Sequence, residues 1–587
     1  MTRMNKKIKF LILINTLISS STYAMDLKSK NLYNQTAYIT SQCYTKTVNS
    51  KDENILHNPC FSCHTKNKEP NFTMQDEDLQ EAYDFPSSAY KNPWSNLFKD
   101  RSKEVSNISD IEILNYIRKD NYKTAKNEII LKNKLENLSD KWDFNGNGKW
   151  DGYIPDVYFN FDNEGFDKDT KGKYTGWRAF AYYPFLGTFW PTNGSTDDVL
   201  IRLDKVFMQD ENSKFDKDVY KLNLSIIESL IKQKTIEIER TDEKKYKIDL
   251  NKNGKLDFAT KIVYEWTKPV FSLKNNRLTK FSMSYVGLAR LELIENKQKI
   301  APGLYPVNTE FLHSVRYVDI DKKNKIKMSS RMKELRYAKK SSWNTYAQLT
   351  NIGYADLKEK HDFPDRTDVY QGNLEIGISN KRGWKYQGFI EDKKGELRPQ
   401  SYEETLYCIG CHSNIGVIAD STFVFQRKFE KDDLSHGWYH WSQKGLENIK
   451  DRKLANGDTE YVNYLKTNNA GDEFRQNEEI MEKFFTKNWE KDSENIQRDL
   501  IKNLENENIY LEQTWKLKEK EINKVKNDIS HLILPSKKRA ISLNKAYKVI
   551  VNEQSFIYGR DAHVKPTINV HKNIEKGEMT HLQKVVR

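Results

Sequence analysis

The chain has 587 residues, a formal net charge of +13 and only five cysteines, and 30% of its residues are charged. This length suggests two to four domains with enough residues to bury real cores. Four of the positive charges lie in the first 24 residues, so the rest of the chain carries +9. This modest excess suits an acidic partner protein or an anionic membrane surface, or simply a solvated lysine-rich surface, and argues against nucleic acid as a partner.

The first 24 residues have the pattern of a secretory signal peptide. Four basic residues among the first nine precede an apolar run over 10–18, and small residues follow up to Ala24. The run is shorter than the roughly 20 residues that a membrane-spanning helix needs. We therefore predict export to the periplasm and cleavage near Ala24. No cysteine occupies the cleavage point, which argues against a bacterial lipoprotein.

Composition and hydrophobic periodicity predict an α+β, multidomain fold. A β-rich central domain with calcium-loop-like turns is flanked by two segments that each carry a Cys-x-x-Cys-His pentapeptide, and a helical region follows. Alternating apolar runs such as Phe281–Leu293 predict strands in the central domain, and Ile111–Ile117 predicts a helix before it. The predicted limits are 1–24 for the signal peptide, 25–140 for the first lobe, 141–345 for the β-rich domain, 346–430 for the second pentapeptide-bearing segment, and 431–587 for the helical C-terminal region.

Four of the five cysteines fall in two identical frames. The first frame is Cys60-Phe-Ser-Cys63-His64, and the second frame is Cys408-Ile-Gly-Cys411-His412. Two thiols at this spacing can add to the two vinyl groups of one haem, and the following histidine can bind its iron. A zinc site built from both cysteine pairs, or disulfides, are the alternatives, but neither accounts for the histidine in both copies.

On these two pentapeptides the sequence resembles the c-type cytochromes. The resemblance implies two covalently bound haem c groups, with thioether bonds at all four cysteines and with His64 and His412 as proximal iron ligands. Dihaem cytochrome c peroxidases of bacteria are similar in carrying two such motifs in one exported chain. The motifs of those peroxidases lie much closer together than the two frames of this chain.

The remaining histidines supply candidates for the distal iron ligands. His436 and His440 are four residues apart, so on a helix they would share one face, and Trp438, Tyr439 and Trp441 could wall a haem. They are the first choice among several histidines, the others being His57, His313, His361, His531, His563, His571 and His581. Cys43, the fifth cysteine, is either a buried inert thiol or an unusual ligand.

Two acidic loops repeat the pattern of a calcium-binding loop. Oxygen-bearing side chains stand at positions 1, 3, 5 and 9, glycine stands at position 6, and a lysine at position 7 would offer its backbone carbonyl. Neither loop has the usual glutamate at position 12, so calcium would clamp a turn between strands; the alternative is a pair of plain turns. The residues concerned are Asp143, Asn145, Asn147, Lys149 and Asp151 in the first loop and Asp249, Asn251, Asn253, Lys255 and Asp257 in the second.

The sequence therefore predicts an exported dihaem cytochrome that transfers electrons between exported donor and acceptor proteins and contacts the membrane peripherally at most. The alternative function is a haem oxidoreductase that acts on peroxide, a nitrogen oxide or a sulfur compound at one of the two haems. A calcium-stabilised binding module is a third class. No catalytic acid or base is recognisable by spacing, so whether the protein is an enzyme stays open.

Overall fold

The computed structural model describes residues 26–29, 31–45, 63, 68–70, 82–187, 190–413, 415–430, 434–454, 457–468, 477–486, 517–567 and 570–580. The predicted signal peptide lies outside these residues, and so do Cys60 and His64 of the first frame. Within the described part of the chain, no helix is long and apolar enough to cross a membrane.

The described residues form thirteen strands. They are β1 Phe166–Lys168, β2 Tyr174–Phe180, β3 Val199–Arg202, β4 Ile236–Asp242, β5 Phe258–Ile262, β6 Val270–Ser272, β7 Arg277–Thr279, β8 Glu310–Ile320, β9 Ile326–Lys340, β10 Gly372–Asn373, β11 Gly377–Ser379, β12 Trp384–Glu391 and β13 Leu397–Pro399. Nine of them build one antiparallel sheet in the order β1-β2-β3-β8-β9-β12-β11-β10, with β13 paired to β12. The pairs β4–β5 and β6–β7 form two small separate sheets.

Both faces of the large sheet are buried. Neighbouring residues of a strand point to opposite faces, so a strand can contribute side chains to two cores. Leu200 and Leu312 belong to the core on one face, whereas Ile201 and Phe311 belong to the core on the other. The long hairpin of β8 and β9 runs through the middle of the sheet, and its strands stay in register around the pair Ser314↔Leu335. The sheet is thus the shared wall of two cores.

Fifteen α-helices lie in the described residues. They are α1 Ser102–Ser106, α2 Asp110–Arg118, α3 Ile130–Glu136, α4 Lys217–Lys232, α5 Glu243–Tyr246, α6 Leu288–Ile294, α7 Tyr346–Asp362, α8 Tyr402–Cys411, α9 Val424–Arg427, α10 Trp441–Lys444, α11 Glu460–Asn468, α12 Glu478–Phe484, α13 Glu519–Asn527, α14 Ser530–Ile533 and α15 Lys537–Glu553.

Helix α15 covers an exposed stretch of backbone on β8. Its first turn is capped by Ser536, whose hydroxyl accepts the backbone N–H of Arg539. Midway along the helix, the Asn544 amide donates to the Val318 carbonyl at 2.7 Å and accepts the Val318 N–H at 3.3 Å. The asparagine side chain therefore replaces the neighbouring strand that β8 lacks at this point.

The C-terminal residues lie against the N-terminal segment. Isolated antiparallel bridges join Thr45 to Val570, Lys91 to Asn573 and Ala82 to Met579. This pairing closes the chain on itself and fixes the segment around residue 82 near the site described below.

The predicted mixed α+β class with a large antiparallel sheet is confirmed. Helix α2 contains the predicted helix 111–117. The strand expected over Phe281–Leu293 is wrong: this segment ends in α6, which buries Ala289 and Leu293, four residues apart, on one face. The domain limits stay predictions.

Candidate functional site

The second frame ends helix α8. The helix starts at a capping box in which the Ser401 hydroxyl accepts the Glu404 N–H and the Glu404 carboxylate accepts the Ser401 N–H. Cys408 and Cys411 lie in its last turn, and the His412 N–H closes that turn on the Cys408 carbonyl at 3.0 Å. The local fold thus sets two thiols one turn apart, with a histidine at the helix end.

His412 is held as a neutral imidazole. Its Nδ1 lies 2.9 Å from the Ser421 carbonyl oxygen, so Nδ1 carries the ring proton and Nε2 keeps its lone pair. The ring centroids of Tyr386 and Phe423 lie 4.9 and 5.3 Å from that of the imidazole. Burial lowers the pKa of His412 to about 4. The side chain can therefore act as a base or as a metal ligand at neutral pH.

A turn at Asp420 and Ser421 positions the Ser421 carbonyl, which accepts the hydrogen bond from His412 Nδ1. Asp420 and Ser421 both have left-handed backbone angles, with φ of 48° and 60°. The Asp420 carboxylate accepts a hydrogen bond from the Lys340 ammonium at 2.6 Å and another from the Tyr305 N–H at 2.9 Å. Both charged side chains are 1% exposed. A buried ion pair thus fixes the turn and, through it, the orientation of His412.

The thiols near His412 belong to half-buried cysteines that form no disulfide: Cys43, Cys408 and Cys411. Burial raises the pKa of Cys411 to about 12, and the neighbouring Cys43 thiol adds to this effect. Burial also raises the pKa of Cys408 and of Cys43. Nucleophilic thiolate chemistry at neutral pH is therefore disfavoured here.

Gly410, inside the second frame, allows the N-terminal segment to pack on α8. A β-carbon at this position would lie 2.2 Å from the Tyr38 carbonyl oxygen. Any side chain at Gly410 would therefore push the segment that carries Cys43 away from the second frame. This role could not be read from the pentapeptide, because it depends on a contact between residues 372 positions apart in the sequence.

Cys63 of the first frame lies against the segment that follows the second frame. The Val417 N–H donates to the Cys63 carbonyl at 3.0 Å, although Cys63 and the second frame are far apart in the sequence. Cys60, His64 and the candidate His57 lie outside the described residues. The structure thus brings the described part of the first frame to the segment that follows the second.

A cavity of about 260 Å³, here called the thiol cleft, lies beside the second frame. One side is helix α7, and the opposite side consists of Ile409, Gly410 and the segment that carries Cys43. Its lining combines aromatic rings, cations and carboxylates: Tyr38, Tyr83, Phe85, Phe363 and Tyr370; Lys360, Arg366, Lys381 and Arg382; Asp84, Asp356, Glu359 and Asp368.

Two of the cations in the thiol cleft lie over aromatic rings. The Arg366 guanidinium is 3.7 Å from the centroid of Phe363, and the Lys381 ammonium is 5.1 Å from that of Tyr370. Arg382 is paired with Asp356, and Arg366, which is 55% exposed, is paired with Glu359. The cleft can therefore offer flat apolar contacts and positive charge together.

The two histidines predicted as distal ligands, His436 and His440, do not line the thiol cleft. His440 is the N-cap of α10, its Nε2 lies 2.8 Å from an Asp198 carboxylate oxygen, and its Nδ1 lies 2.6 Å from the Ser442 hydroxyl. His436 sits in a short 3-10 turn beside a separate, highly charged cavity. The two residues therefore do not share a helix face. His313, which was not the first choice among the candidate histidines, contributes to the lowered pKa of His412.

Each acidic loop is closed by a glutamate from outside its pattern. In the first loop, Glu375 accepts the N–H groups of Phe144 and Asp151, and Asp143 accepts those of Gly146 and Gly148. The Asn145 and Asn147 amides donate to Asp151.

The second loop repeats this arrangement. Glu243 accepts the N–H groups of Leu250 and Asp257, and Asp249 accepts that of Gly254. Among the described residues, no group of three or more histidine, cysteine, aspartate or glutamate side chains is placed to hold a metal ion. The loops are therefore shaped by their own hydrogen bonds, and calcium at Asn251, Asn253, Lys255 and their counterparts stays a prediction.

Comparison with known proteins gives two matches and one negative result. The model of a lipoprotein-like family matches residues 27–584. An uncharacterized lipoprotein of Aquifex aeolicus (strain VF5) is 30% identical over 585 residues, which cover 92% of this chain and 88% of the relative. No solved structure gives a significant match.

These matches overturn the resemblance to c-type cytochromes. That resemblance rested on two pentapeptides, whereas the family match spans nearly the whole chain. The predicted classification as a haem or metal-binding cytochrome is therefore wrong, and so are the predicted functions in electron transfer and haem oxidoreduction. The expectation that the protein is not a lipoprotein is also wrong. It depended only on the residues around Ala24, which precede the matched residues 27–584. The predicted export is supported, and this chain belongs to the lipoprotein-like family.

Proposed function

We propose that the protein is an exported binding protein whose thiol cleft takes a flat, largely apolar ligand with an acidic group. The observation that carries this proposal is the lining of the cleft, where aromatic rings, cations and carboxylates line one cavity beside half-buried thiols. A cavity of about 260 Å³ lies near the lower end of the range for small-molecule sites, which indicates a ligand of a few fused or linked rings.

Two exposed cations in the cleft, Arg366 and Lys381, lie over aromatic rings and could bind an anionic group on the ligand. Arg366 is paired with Glu359, so the anionic group would replace this carboxylate or bind Lys381. Arg382 is already paired with Asp356. A carboxylate or sulfonate could accept hydrogen bonds from the Arg366 guanidinium. The apolar floor at Ile409 would contact the rings of the ligand.

The raised thiol pKa values favour binding over thiol-based catalysis. At neutral pH a thiol with a pKa of about 12, such as Cys411, supplies about one thiolate in 10⁵ molecules. Transfer of the Cys411 proton to His412 is unfavourable, because the pKa of the thiol is about 12 and that of His412 is about 4. The proposal therefore assigns no reaction to the site.

We place the protein in the periplasm, with cleavage near Ala24, and at a membrane surface. The lipoprotein-like family and the name of the Aquifex relative support membrane association. The redox donor and acceptor proteins predicted from the sequence depended on electron transfer and are not carried into this proposal. Covalent haem at Cys408 and Cys411 and calcium at the acidic loops are separate, untested predictions about cofactors.

Titration with 8-anilinonaphthalene-1-sulfonate, a flat aromatic anion, tests the binding proposal. We expect saturable fluorescence enhancement in the mature wild-type protein. Thr350→Trp should abolish it, because Thr350 lines the cleft on α7 and the indole would fill the space. Arg366→Gln should weaken binding roughly tenfold or more, since a hydrogen bond to a charged group contributes about 1.5–3 kcal/mol.

The matched control is Lys385→Gln, because Lys385 is an exposed cation on β12 outside the cleft lining. Unchanged binding in this variant, with loss in Thr350→Trp, supports the proposal. Equal dye binding in the wild type and Thr350→Trp would refute it, because the dye would then bind elsewhere.

A further inference from the structure

The β6–β7 hairpin is a small projecting element. Val270 pairs with Thr279, Phe271 with Leu278 and Ser272 with Arg277, and the two strands are not joined to the large sheet. An isolated two-stranded hairpin is only marginally stable in water. Its base is held by Ser282, whose hydroxyl accepts the Thr267 N–H at 2.7 Å and whose carbonyl accepts a hydrogen bond from Lys252.

The first strand and the turn of this hairpin expose apolar side chains. Leu273 is 89% exposed, Val270 49% and Phe271 40%. Phe258 on the preceding strand β5 is 53% exposed. Single exposed apolar residues are common, but several close together in the sequence on a projecting hairpin form a surface that the fold itself does not use.

Four exposed cations lie close to these apolar residues in the sequence. Lys268, Lys274, Arg277 and Lys280 are all exposed, and residues 266–291 contain no aspartate or glutamate. The hairpin therefore has a local charge of +4, although the chain as a whole carries nearly balanced charges. This concentration of charge is not required for the stability of the hairpin, because like charges on adjacent strands repel one another.

We propose that the β6–β7 hairpin docks on an anionic lipid surface, with Leu273 and Phe271 entering the boundary between headgroups and acyl chains. The cations would then lie at the level of the phosphate groups, where each contributes about a fivefold gain in binding. An acidic protein could satisfy the cations, but it would need a matching pocket for the exposed leucine. The proposal rests on export to a membrane-facing compartment and does not depend on the ligand of the thiol cleft.

The membrane contact expected from this hairpin is reversible. A few apolar side chains give a weak anchor, and four cations multiply binding by several hundredfold at most. Since salt screens the charges, binding should fall steeply at high ionic strength. The hairpin would thus set the orientation of the protein on the surface.

Co-sedimentation with lipid vesicles tests this proposal. The mature chain should bind vesicles that contain phosphatidylglycerol at low salt and should bind pure phosphatidylcholine vesicles at least tenfold more weakly. Leu273→Asp should reduce binding to the anionic vesicles about tenfold or more, because it replaces the apolar tip by a charge. Lys274→Gln with Arg277→Gln should reduce it about 25-fold.

Val369→Asp is the matched control, since Val369 is a similarly exposed valine at 74% that lies outside the hairpin. Circular dichroism of every variant checks that the fold is kept. Vesicle binding that is lost in Leu273→Asp but kept in Val369→Asp supports the proposal. No vesicle binding by the wild type, or binding to polyglutamate alone, would overturn it. Dye binding in the thiol cleft is unaffected by either result, so the two proposals can fail separately.

Discussion

Replacing Asp420 by asparagine tests whether a buried ion pair holds the second frame in place. In the wild type the Lys340 ammonium and the Asp420 carboxylate are 2.6 Å apart and 1% exposed. The substitution would leave the lysine buried without its counter-charge, and burial already lowers the pKa of Lys340. Removing one partner of a buried pair costs about 3–5 kcal/mol. We expect the free energy of unfolding to fall by that amount.

The double variant Lys340→Met/Asp420→Asn should recover most of this loss, because it buries no unpaired charge. Urea unfolding followed by circular dichroism measures both variants. Glu447→Gln is the control, since Glu447 pairs with Lys325 on the surface and its loss should cost less than about 1 kcal/mol. A cost below about 1 kcal/mol for Asp420→Asn, or no recovery in the double variant, would refute the reasoning.

Four further predictions concern the site and the cofactors. Burial lowers the pKa of His412 to about 4 from its usual 6.5, so the unfolded chain binds a proton below pH 6.5 that the folded chain does not. The free energy of unfolding should therefore fall by about 3 kcal/mol between pH 6.5 and 4. His412→Gln should flatten this part of a urea-unfolding pH series. Gly410→Ala should cost about 1–3 kcal/mol in the same assay, because its β-carbon would meet the Tyr38 carbonyl; a neutral effect would contradict the close contact. A pyridine haemochrome assay after expression with haem-maturation enzymes tests the cofactor prediction made from the two frames: two haems per chain, with fewer in Cys408→Ala, would keep it, and a wild type without haem would end it. Calcium should raise the melting temperature of the wild type more than that of Asp143→Ala, and equal shifts would exclude the first loop as a site.

The sequence was a good guide where a pattern is local. The helix predicted over 111–117 lies within α2. The mixed fold follows from alternating and helical runs. The segment Phe281–Leu293 shows the limit of this reasoning: its last part packs as a helix, and a short apolar run fits either structure.

The parts of the site that depend on distant contacts could not be predicted. Glu375 completes the first acidic loop from more than 200 residues away. Glu243 completes the second loop from only 7 to 14 residues away, but it lies outside the repeated pattern. His440 carries the spacing expected of a ligand, yet it serves as a helix cap bound to Asp198. Two pentapeptides likewise suggested a family that the rest of the chain does not support.

The bridges between the two ends of the chain determine when the thiol cleft can exist. Ala82 and Thr580 both line the cleft, and Ala82 is bridged to Met579. Residues 570–580 therefore complete a wall of the cleft that starts near residue 82. A chain cut before residue 570 would lack this wall, so a proteolytic cut there should abolish ligand binding even where the large sheet stays folded.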